Sequence, residues 1–304
     1  MHINSLKKNF NLKNLNTLKV NAVAEYFFEA KSRQDIIDIC KLAKKNKLSF
    51  KLLGVGSNIG FTSKHIKGVL IKNSYIKKEL IKETSSFLVY SISSGYPTTK
   101  LSNETIEKGY KGLEYHIGLP GTIGGAIYMN SKWLNPPSYI GDLVMNAYLL
   151  DKNLKIKKVD NIYFNFKYDY SILQDTKEIL LEAELKFIKS DPNGLIKISK
   201  ECFDIRKKTQ PFGLYTSGCF FRNISDEEKI KNNLPTKSAG YLIDKCGLKG
   251  LKIGDFKVSE KHANFIINNG YGKPNDLKKI LQIIKNKVYQ KFGLQLKEEV
   301  ELIN

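Results

Sequence analysis

Residues 112–130 read GLEYHIGLPGTIGGAIYMN. Seven of these nineteen residues are small or break helices: Gly112, Gly118, Pro120, Gly121, Gly124, Gly125 and Ala126. Fixing a glycine costs conformational entropy, so a cluster of them needs a reason. Tight turns are one reason. A backbone that lies flush against something flat or phosphorylated is another. Gly118-Leu119-Pro120-Gly121 reads as a rigid turn. After it, Thr122 and the backbone of Gly124, Gly125 and Ala126 can approach a ligand with no side chain in between. A tight loop packed against protein is the alternative.

A second stretch, LLGVGSN at 52–58, has the same character. An apolar strand runs into Gly54 and Gly56, whose successive N–H groups can form a concave nest for phosphate. Ser57 and Asn58 add side-chain donors. By itself the stretch is compatible with a plain β-turn, since it lacks the G-x-G-x-x-G spacing and a following helix. Two glycine-rich, non-helical segments together predict an extended cofactor lying between two small α/β lobes.

Composition sets the frame. The chain has 304 residues, 41% of them hydrophobic, enough for two or three units with substantial cores. Lys and Arg outnumber Asp and Glu by 50 to 30, a net charge of +20. The basic residues recur throughout instead of clustering, and Asn and Ile are abundant beside Lys. This reads as a solvated lysine surface, not a nucleic-acid-binding one, though it attracts small anions. Cys40, Cys202, Cys219 and Cys246 form no C-x-x-C pair, so no metal site is expected. The start, MHINSLKKNF, has no apolar leader, and no stretch reaches the length of a membrane span. Free thiols in a reducing cytoplasm are expected.

Along the chain, Ser32 and Asp35 form a capping-box pattern ahead of a helix with Ile36, Ile39, Cys40 and Ala43 on one face. Strands are expected at SFKLLG, GVLIKN and FLVYSISSG, and a helix at YPTTKLSNETIEKG. VMNAYLL and LKIKKVD flank a turn at 151–153 and read as a hairpin, with EILLEAELKFI as a further strand. Asp191 and Pro192 open a helix whose buried face is Leu195, Ile198, Cys202 and Ile205. A short helix ends at Gly247, and HANFIINN reads as a strand. The clearest helix carries Leu277, Ile280, Leu281, Ile284 and Val288 and stops at Gly293. LQLKEEVELI closes as a strand. The natural boundary lies near 189–194.

GLEYHIGLPGTIGGAIYMN resembles the flavin-binding signature of the UDP-N-acetylenolpyruvoylglucosamine reductase (MurB) family. LLGVGSNI resembles that family's pyrophosphate loop, TSGCFFRN its catalytic loop, and GYLIDKCGLKGLKIGDFKVSEKHANFIIN with LQLKEEVELI its C-terminal part. The VSEKHANFIIN form is similar to the shorter subtype. The resemblance implies an α+β fold: a two-lobed FAD-binding domain of the PCMH/vanillyl-alcohol-oxidase type, then a C-terminal α/β substrate domain. The corresponding boundaries are 1–75, 76–190 and 191–304. It implies non-covalent FAD held by Gly54, Val55, Gly56, Ser57, Asn58 and Ile59 and by Gly118, Pro120, Gly121, Thr122, Gly124, Gly125 and Ala126. NADPH would reduce the flavin. Hydride would then pass to carbon 3 of the enolpyruvyl UDP-sugar and a proton to carbon 2. A monomer with no nucleic-acid or membrane partner is expected.

Carried over onto this chain, the proton donor is Cys219, where the family usually has Ser. Glu299 would stabilise the enol. Arg222, in a position usually held by Lys, Asn223 and His262 would face substrate, while a structural histidine is an equal reading of His262. From alternation alone, Leu296, Val300 and Leu302 form the buried face of the last strand and Glu299 points the other way. His65 and His116 read as structural. One departure concerns charge: the family pattern Tyr-Arg-x-Ser is here Tyr168-Asp169-Tyr170-Ser171. An ionised aspartate cannot donate to a substrate carboxylate. A neighbouring cation such as Lys167, a lower activity or a shifted loop are the open alternatives, and Asp169→Arg is expected to leave folding intact. KVNAVAEYF lacks glycines the family tends to have, and MNSKW lacks the usual glycine after its Asn. Rival readings are an oxidase of the same fold, disfavoured because LLGVGSN has no His or Cys to tether FAD, and a basic nucleic-acid-binding protein, which no motif supports.

Overall fold

The computed structural model describes residues 2–304. In chain order the first elements are β1 (Lys7–Asn11), β2 (Val23–Ala30), α1 (Arg33–Lys45), β3 (Phe50–Leu53), β4 (Ile59–Phe61) and β5 (His65–Asn73). Then come β6 (Lys78–Glu83), β7 (Phe87–Ser93), α2 (Thr98–Glu107), β8 (Tyr110–Lys111), α3 (Ile123–Met129), β9 (Lys132–Leu134) and β10 (Pro137–Tyr139). These are followed by β11 (Val144–Leu150), β12 (Ile156–Asp160), α4 (Leu173–Thr176) and β13 (Ile179–Lys189). The chain ends with α5 (Pro192–Thr209), α6 (Asp226–Lys231), α7 (Ala239–Lys245), β14 (Lys252–Ile253), β15 (Phe256–Val258), β16 (Ile266–Asn268), α8 (Pro274–Phe292) and β17 (Glu301–Ile303).

Two compact units result. One takes in residues up to Lys7, Tyr26–Val55 and Gly68–Arg206; the other is Lys8–Glu25, Gly56–Lys67 and Lys207–Asn304. Among the described residues no helix is long and apolar enough to cross a membrane.

In the first unit α1 starts at the expected capping box, Ser32 accepting from Asp35 N and Asp35 from the cap backbone. Its apolar face buries Ile36, Ile39, Cys40 and Ala43 against Val69 and Ile71 of β5. β3 and β5 pair in parallel, Phe50 opposite Val69. The second sheet runs β12-β11-β13-β7-β6. Successive residues of a strand point to opposite faces. Leu149 and Leu180 therefore enter one core with Leu185 and Phe187, while Leu150 and Leu181 enter the core under α1. The 151–153 turn joins β11 and β12 as predicted, Leu150 facing Ile156.

The helix opened by Asp191, whose carboxylate accepts from Gly194 N at 2.7 Å, differs from expectation in its buried stripe. Leu195, Ser199, Cys202 and Arg206 are buried, and Ile205 is 46% exposed. The stripe is turned because Arg206 is drawn inward: its Nη2 donates to Tyr115 O at 3.2 Å and its guanidinium lies 4.8 Å over the Trp133 ring.

In the second unit α8 buries its five predicted apolar residues and ends at Gly293 in the left-handed region. β17 pairs in parallel with β4, Leu302 opposite Gly60. Two expected strands are shorter than read. HANFIINN is a turn up to Phe265, whose N donates to His262 O, and a strand only at 266–268. LQLKEEVELI is a strand only at 301–303, because residues 297–299 bond to the loop at 220–222 instead.

Candidate active site

The two glycine-rich segments meet within the first unit. A Cβ placed on Gly54 would sit 2.6 Å from Thr122 Oγ1, so only glycine lets these backbones close up. Gly54 O accepts a hydrogen bond from the half-buried Lys72 ammonium, whose pKa burial lowers against the pull of Glu29. Val55 follows as the unit's last residue on this turn. In the longer segment Gly118 packs against Phe203, Pro120 is exposed, and Gly121 O accepts from Thr98 N at 3.1 Å. Thr122 caps α3, accepting from Gly125 N at 3.3 Å.

The segment was expected to be non-helical, and from Ile123 it is helix. Gly124 faces protein: its N donates to Ser94 O at 2.8 Å, and a Cβ would meet Ser94 Cβ at 2.8 Å. Gly125 is exposed, with only Thr122 Oγ1 within 4 Å, at 3.7 Å. Half-buried Ala126 packs against the core. The Thr98 hydroxyl is buried and has no hydrogen-bond partner among the described residues. An open glycine face, an orphaned hydroxyl and a half-buried ammonium fit a flat, hydrogen-bonding, anionic group such as FAD.

The second unit holds the other segments. Gly56 has φ +67, and a Cβ there would lie 2.2 Å from Leu15 O. Thr17 N donates to Gly56 O at 3.1 Å, fixing the turn that continues through Ser57. Asn58 Nδ2 donates to Glu299 O at 3.2 Å, and Asn58 O accepts from Glu301 N at 3.0 Å. Glu299 N donates to Phe220 O at 2.8 Å and Arg222 N to Lys297 O at 2.9 Å. Ile59 O accepts from the buried Ser217 hydroxyl at 2.7 Å. Residues 58–59, 217–222 and 297–301 are thus laced together.

Cys219 sits in this lacing as a half-buried cysteine outside any disulfide. Gly218 before it has φ +81, a left-handed residue, with nothing within 4 Å of a notional Cβ. Glu299 is half-buried between buried Val300 and the loop, and Leu296 is buried as read; Ile303, not Leu302, completes that face. Asn223 Oδ1 accepts from Ala239 N at 3.1 Å, docking α7 on the loop. His262 Nδ1 accepts from Asn264 N at 3.3 Å, its ring edge-on to Phe265 at 4.9 Å. Burial lowers its pKa, and with Nδ1 accepting, the neutral ring carries its proton on Nε2.

The altered 167–171 stretch, in the first unit, is a tight turn: Lys167 N donates to Tyr170 O at 3.1 Å and Tyr170 N to Lys167 O at 3.2 Å. Asp169 has φ +52 and is buried. Its partner is not Lys167 but Lys132, thirty-seven residues away, which pairs with Oδ1 and lies 4.0 Å over the Tyr168 ring. Asn130 Nδ2, in the left-handed cap of α3, donates to Lys167 O at 2.9 Å, and the Ser171 hydroxyl donates to Tyr128 O at 2.8 Å. The turn is therefore lashed to the end of the helix that the glycine segment begins.

Two residues escaped the sequence reading. Buried Asn264 brackets the loop at 217–222, Oδ1 accepting from Phe221 N at 3.0 Å and Nδ2 donating to Phe221 O at 2.8 Å. Its signal was a lone amide inside the apolar run HANFII. Lys132 left one trace, the missing glycine in MNSKW. Among the described residues no cluster of His, Cys, Asp or Glu is placed to hold a metal ion.

Comparison with known proteins agrees with this geometry. The family profile for the C-terminal domain of UDP-N-acetylenolpyruvoylglucosamine reductase matches residues 210–303, and that for an FAD binding domain matches 24–159. A UDP-N-acetylenolpyruvoylglucosamine reductase of Chlamydia felis is 31% identical over 299 residues, 98% of this chain and 95% of the relative. That of Bacillus subtilis is 31% identical over 96% of this chain and 92% of its own length. The crystal structure of the reductase (MurB) from Thermus caldophilus superposes with a TM-score of 0.79 at 23% identity, covering 98% of this chain and 99% of that one. The fold is α+β, the two-lobed FAD-binding type followed by a C-terminal domain. With the relatives matched from end to end and the lacing around Cys219 in place, this chain belongs to the UDP-N-acetylenolpyruvoylglucosamine reductase family.

Proposed function

We propose that this protein reduces UDP-N-acetylglucosamine enolpyruvate to UDP-N-acetylmuramate, a step of peptidoglycan synthesis, at the expense of NADPH. The single observation that carries the reading is the convergence of Asn58, the Cys219 loop and Glu299 through the bonds Asn58–Glu299 and Glu299–Phe220. FAD, when bound, supplies the hydride that goes to carbon 3 of the enolpyruvyl group. Gly54, Thr122, Gly125, Thr98 and Lys72 of the first unit would hold it.

The residues of the chain manage the proton and the charge. Cys219 gives its proton to carbon 2; a thiol is a far stronger acid than an aliphatic hydroxyl and serves in serine's place. Glu299, held by backbone bonds on both sides, stabilises the enol. Arg222 and Asn223 lie on the same loop and orient the sugar nucleotide. His262, with Nδ1 engaged by Asn264 N, has only Nε2–H left to offer. We read the chain as a cytoplasmic monomer divided at 1–75, 76–190 and 191–304, with no nucleic-acid or membrane partner. The purified protein should be yellow, with flavin released on denaturation. Anaerobic NADPH should bleach it, and the enolpyruvyl sugar nucleotide should restore the colour. A protein that binds no added FAD, or stays bleached, sinks the reading.

A further inference from the structure

We infer that the second unit carries a binding site for a nucleoside phosphate, built from residues that the proposed function does not use. An open cavity of about 330 Å³ lies among residues 13, 14 and 19, Tyr215 and residues 269–271. All of them belong to the second unit. The volume is near the lower end of the range for small-ligand pockets. Buried Asn268 holds the three walls together. Its Nδ2 donates to Leu18 O at 2.8 Å and its N to Tyr215 O at 2.9 Å. Its Oδ1 accepts from Gly270 N at 3.1 Å and from Gly272 N at 2.9 Å. The walls are thus set before any ligand arrives. Lys19 stands on one of them with φ +56, a left-handed backbone that costs a lysine energy and that clusters at ligand sites.

The chemistry of the walls selects the ligand. Lys13 and Lys19 bring two ammonium groups, and no carboxylate lines the cavity. Among the described residues Lys19 Nζ donates to Asn14 Oδ1 at 3.3 Å, and Lys13 Nζ lies 4.9 Å over the Tyr271 ring, so neither charge is answered by an acid. Each ammonium keeps donors for an anion. Tyr271 is 75% exposed and Tyr215 47% exposed, two large ring faces left in water. A nucleobase stacks on such rings, and stacking accepts any base. The amides of Asn14 and Asn269 add donors and acceptors for the base edge or the ribose. Inorganic phosphate would leave both rings unused, and an apolar ligand would leave both charges unused. A nucleoside phosphate uses all of them.

The test uses the FAD-loaded, oxidised protein saturated with the enolpyruvyl sugar nucleotide, so that the catalytic site is already occupied. Calorimetric titration with adenosine 5′-monophosphate, and separately with uridine 5′-monophosphate, should find one further site per chain. Tyr271→Ala should weaken that site roughly 5- to 100-fold, the value of one base–aromatic stack. Lys13→Gln should weaken it about tenfold, the value of a charge-assisted hydrogen bond. Inorganic phosphate and unphosphorylated adenosine should each bind about tenfold or more weakly than the mononucleotide, since each lacks one of these contacts. Both positions are at the surface, and circular dichroism should show both variants folded. A parent protein that takes up no further mononucleotide overturns the inference. So does a site that survives both substitutions unchanged, or one that holds inorganic phosphate as tightly as the mononucleotide. Failure of the sugar nucleotide to restore the colour of bleached protein is a separate outcome. It counts against the proposed function, while the two variants still locate the mononucleotide.

Discussion

The loop at 217–223 and the turn at 167–171 both depart from their family's pattern, and they do so differently. In the loop one atom changes, oxygen to sulfur at Cys219, and the backbone frame stays local: Ser217 bonds Ile59 and Asn264 brackets Phe221. In the turn the charge at Asp169 is opposite to that of the family pattern, and Lys132, thirty-seven positions away, supplies its partner. A substitution that keeps size and polarity can be absorbed where it stands. One that changes sign in a buried place needs a partner, and the partner comes from another element.

The largest expected effect tests the conservative half of this contrast. Cys219→Ala should slow reoxidation by the enolpyruvyl substrate about 100- to 10,000-fold, the range of general-acid help, while flavin reduction by NADPH stays near normal. Cys219→Ser should restore much of the rate. Stopped-flow traces of the two half-reactions check this, and a Cys219→Ala enzyme that reoxidises at the parent rate would make the thiol a packing residue.

Asp169→Arg tests the rebuilt half. Sequence alone suggested that it would be harmless, but in the structure the guanidinium would face Lys132 in a pocket made for a carboxylate. Breaking a buried pair costs about 3–5 kcal/mol. Denaturant unfolding should register that loss, and Lys132→Ser in the same chain should return part of it. Equal stability of Asp169→Arg and parent would erase the difference between the two regions.

A smaller effect sharpens the contrast by using a buried group with no partner at all. His116, in the glycine segment, is fully buried, and neither ring nitrogen has a hydrogen-bond partner among the described residues. Burial, aided by the Arg206 charge, pushes its pKa down from 6.5 to about 4. The folded state therefore binds less proton than the unfolded one between these values. Its contribution is complete above pH 6.5 and is lost as pH falls toward 4, by up to about 3 kcal/mol. His116→Leu should flatten that part of the stability–pH curve and leave neutral-pH stability equal or higher. A slope that survives the substitution would assign it to other groups.

What could be read from the sequence follows the same division. Periodic elements were legible because their cause is local: the capping box of α1, the hairpin at 151–153 and the stripe of α8 all stand as read. The stripe of α5 was misjudged because Trp133 and Tyr115 O, remote in the chain, draw Arg206 inward. The closing strand was overextended because 297–299 finds its hydrogen bonds in the loop at 220–222, a pairing that no alternation pattern encodes. At the site, Cys219 was visible beside its glycine, whereas Asn264 and Lys132 were not. Their roles exist only once distant segments are brought together.

The pairing of β4 with β17 has a consequence for how the protein is made. The apolar clusters of the first unit draw on residues no later than Phe187. Ile59 of β4 must wait for Glu301 of β17 before its parallel ladder can form. At a synthesis rate of roughly 5–20 residues per second, that delay is on the order of tens of seconds. In the last part of that time, after residue 206 has been made, a nascent chain carries a complete first unit and an open second one, with the Asn58 turn exposed and unlaced. A ribosome paused shortly before residue 301 would hold a chain whose cofactor lobe has folded and whose loop at 217–222 still lacks its wall.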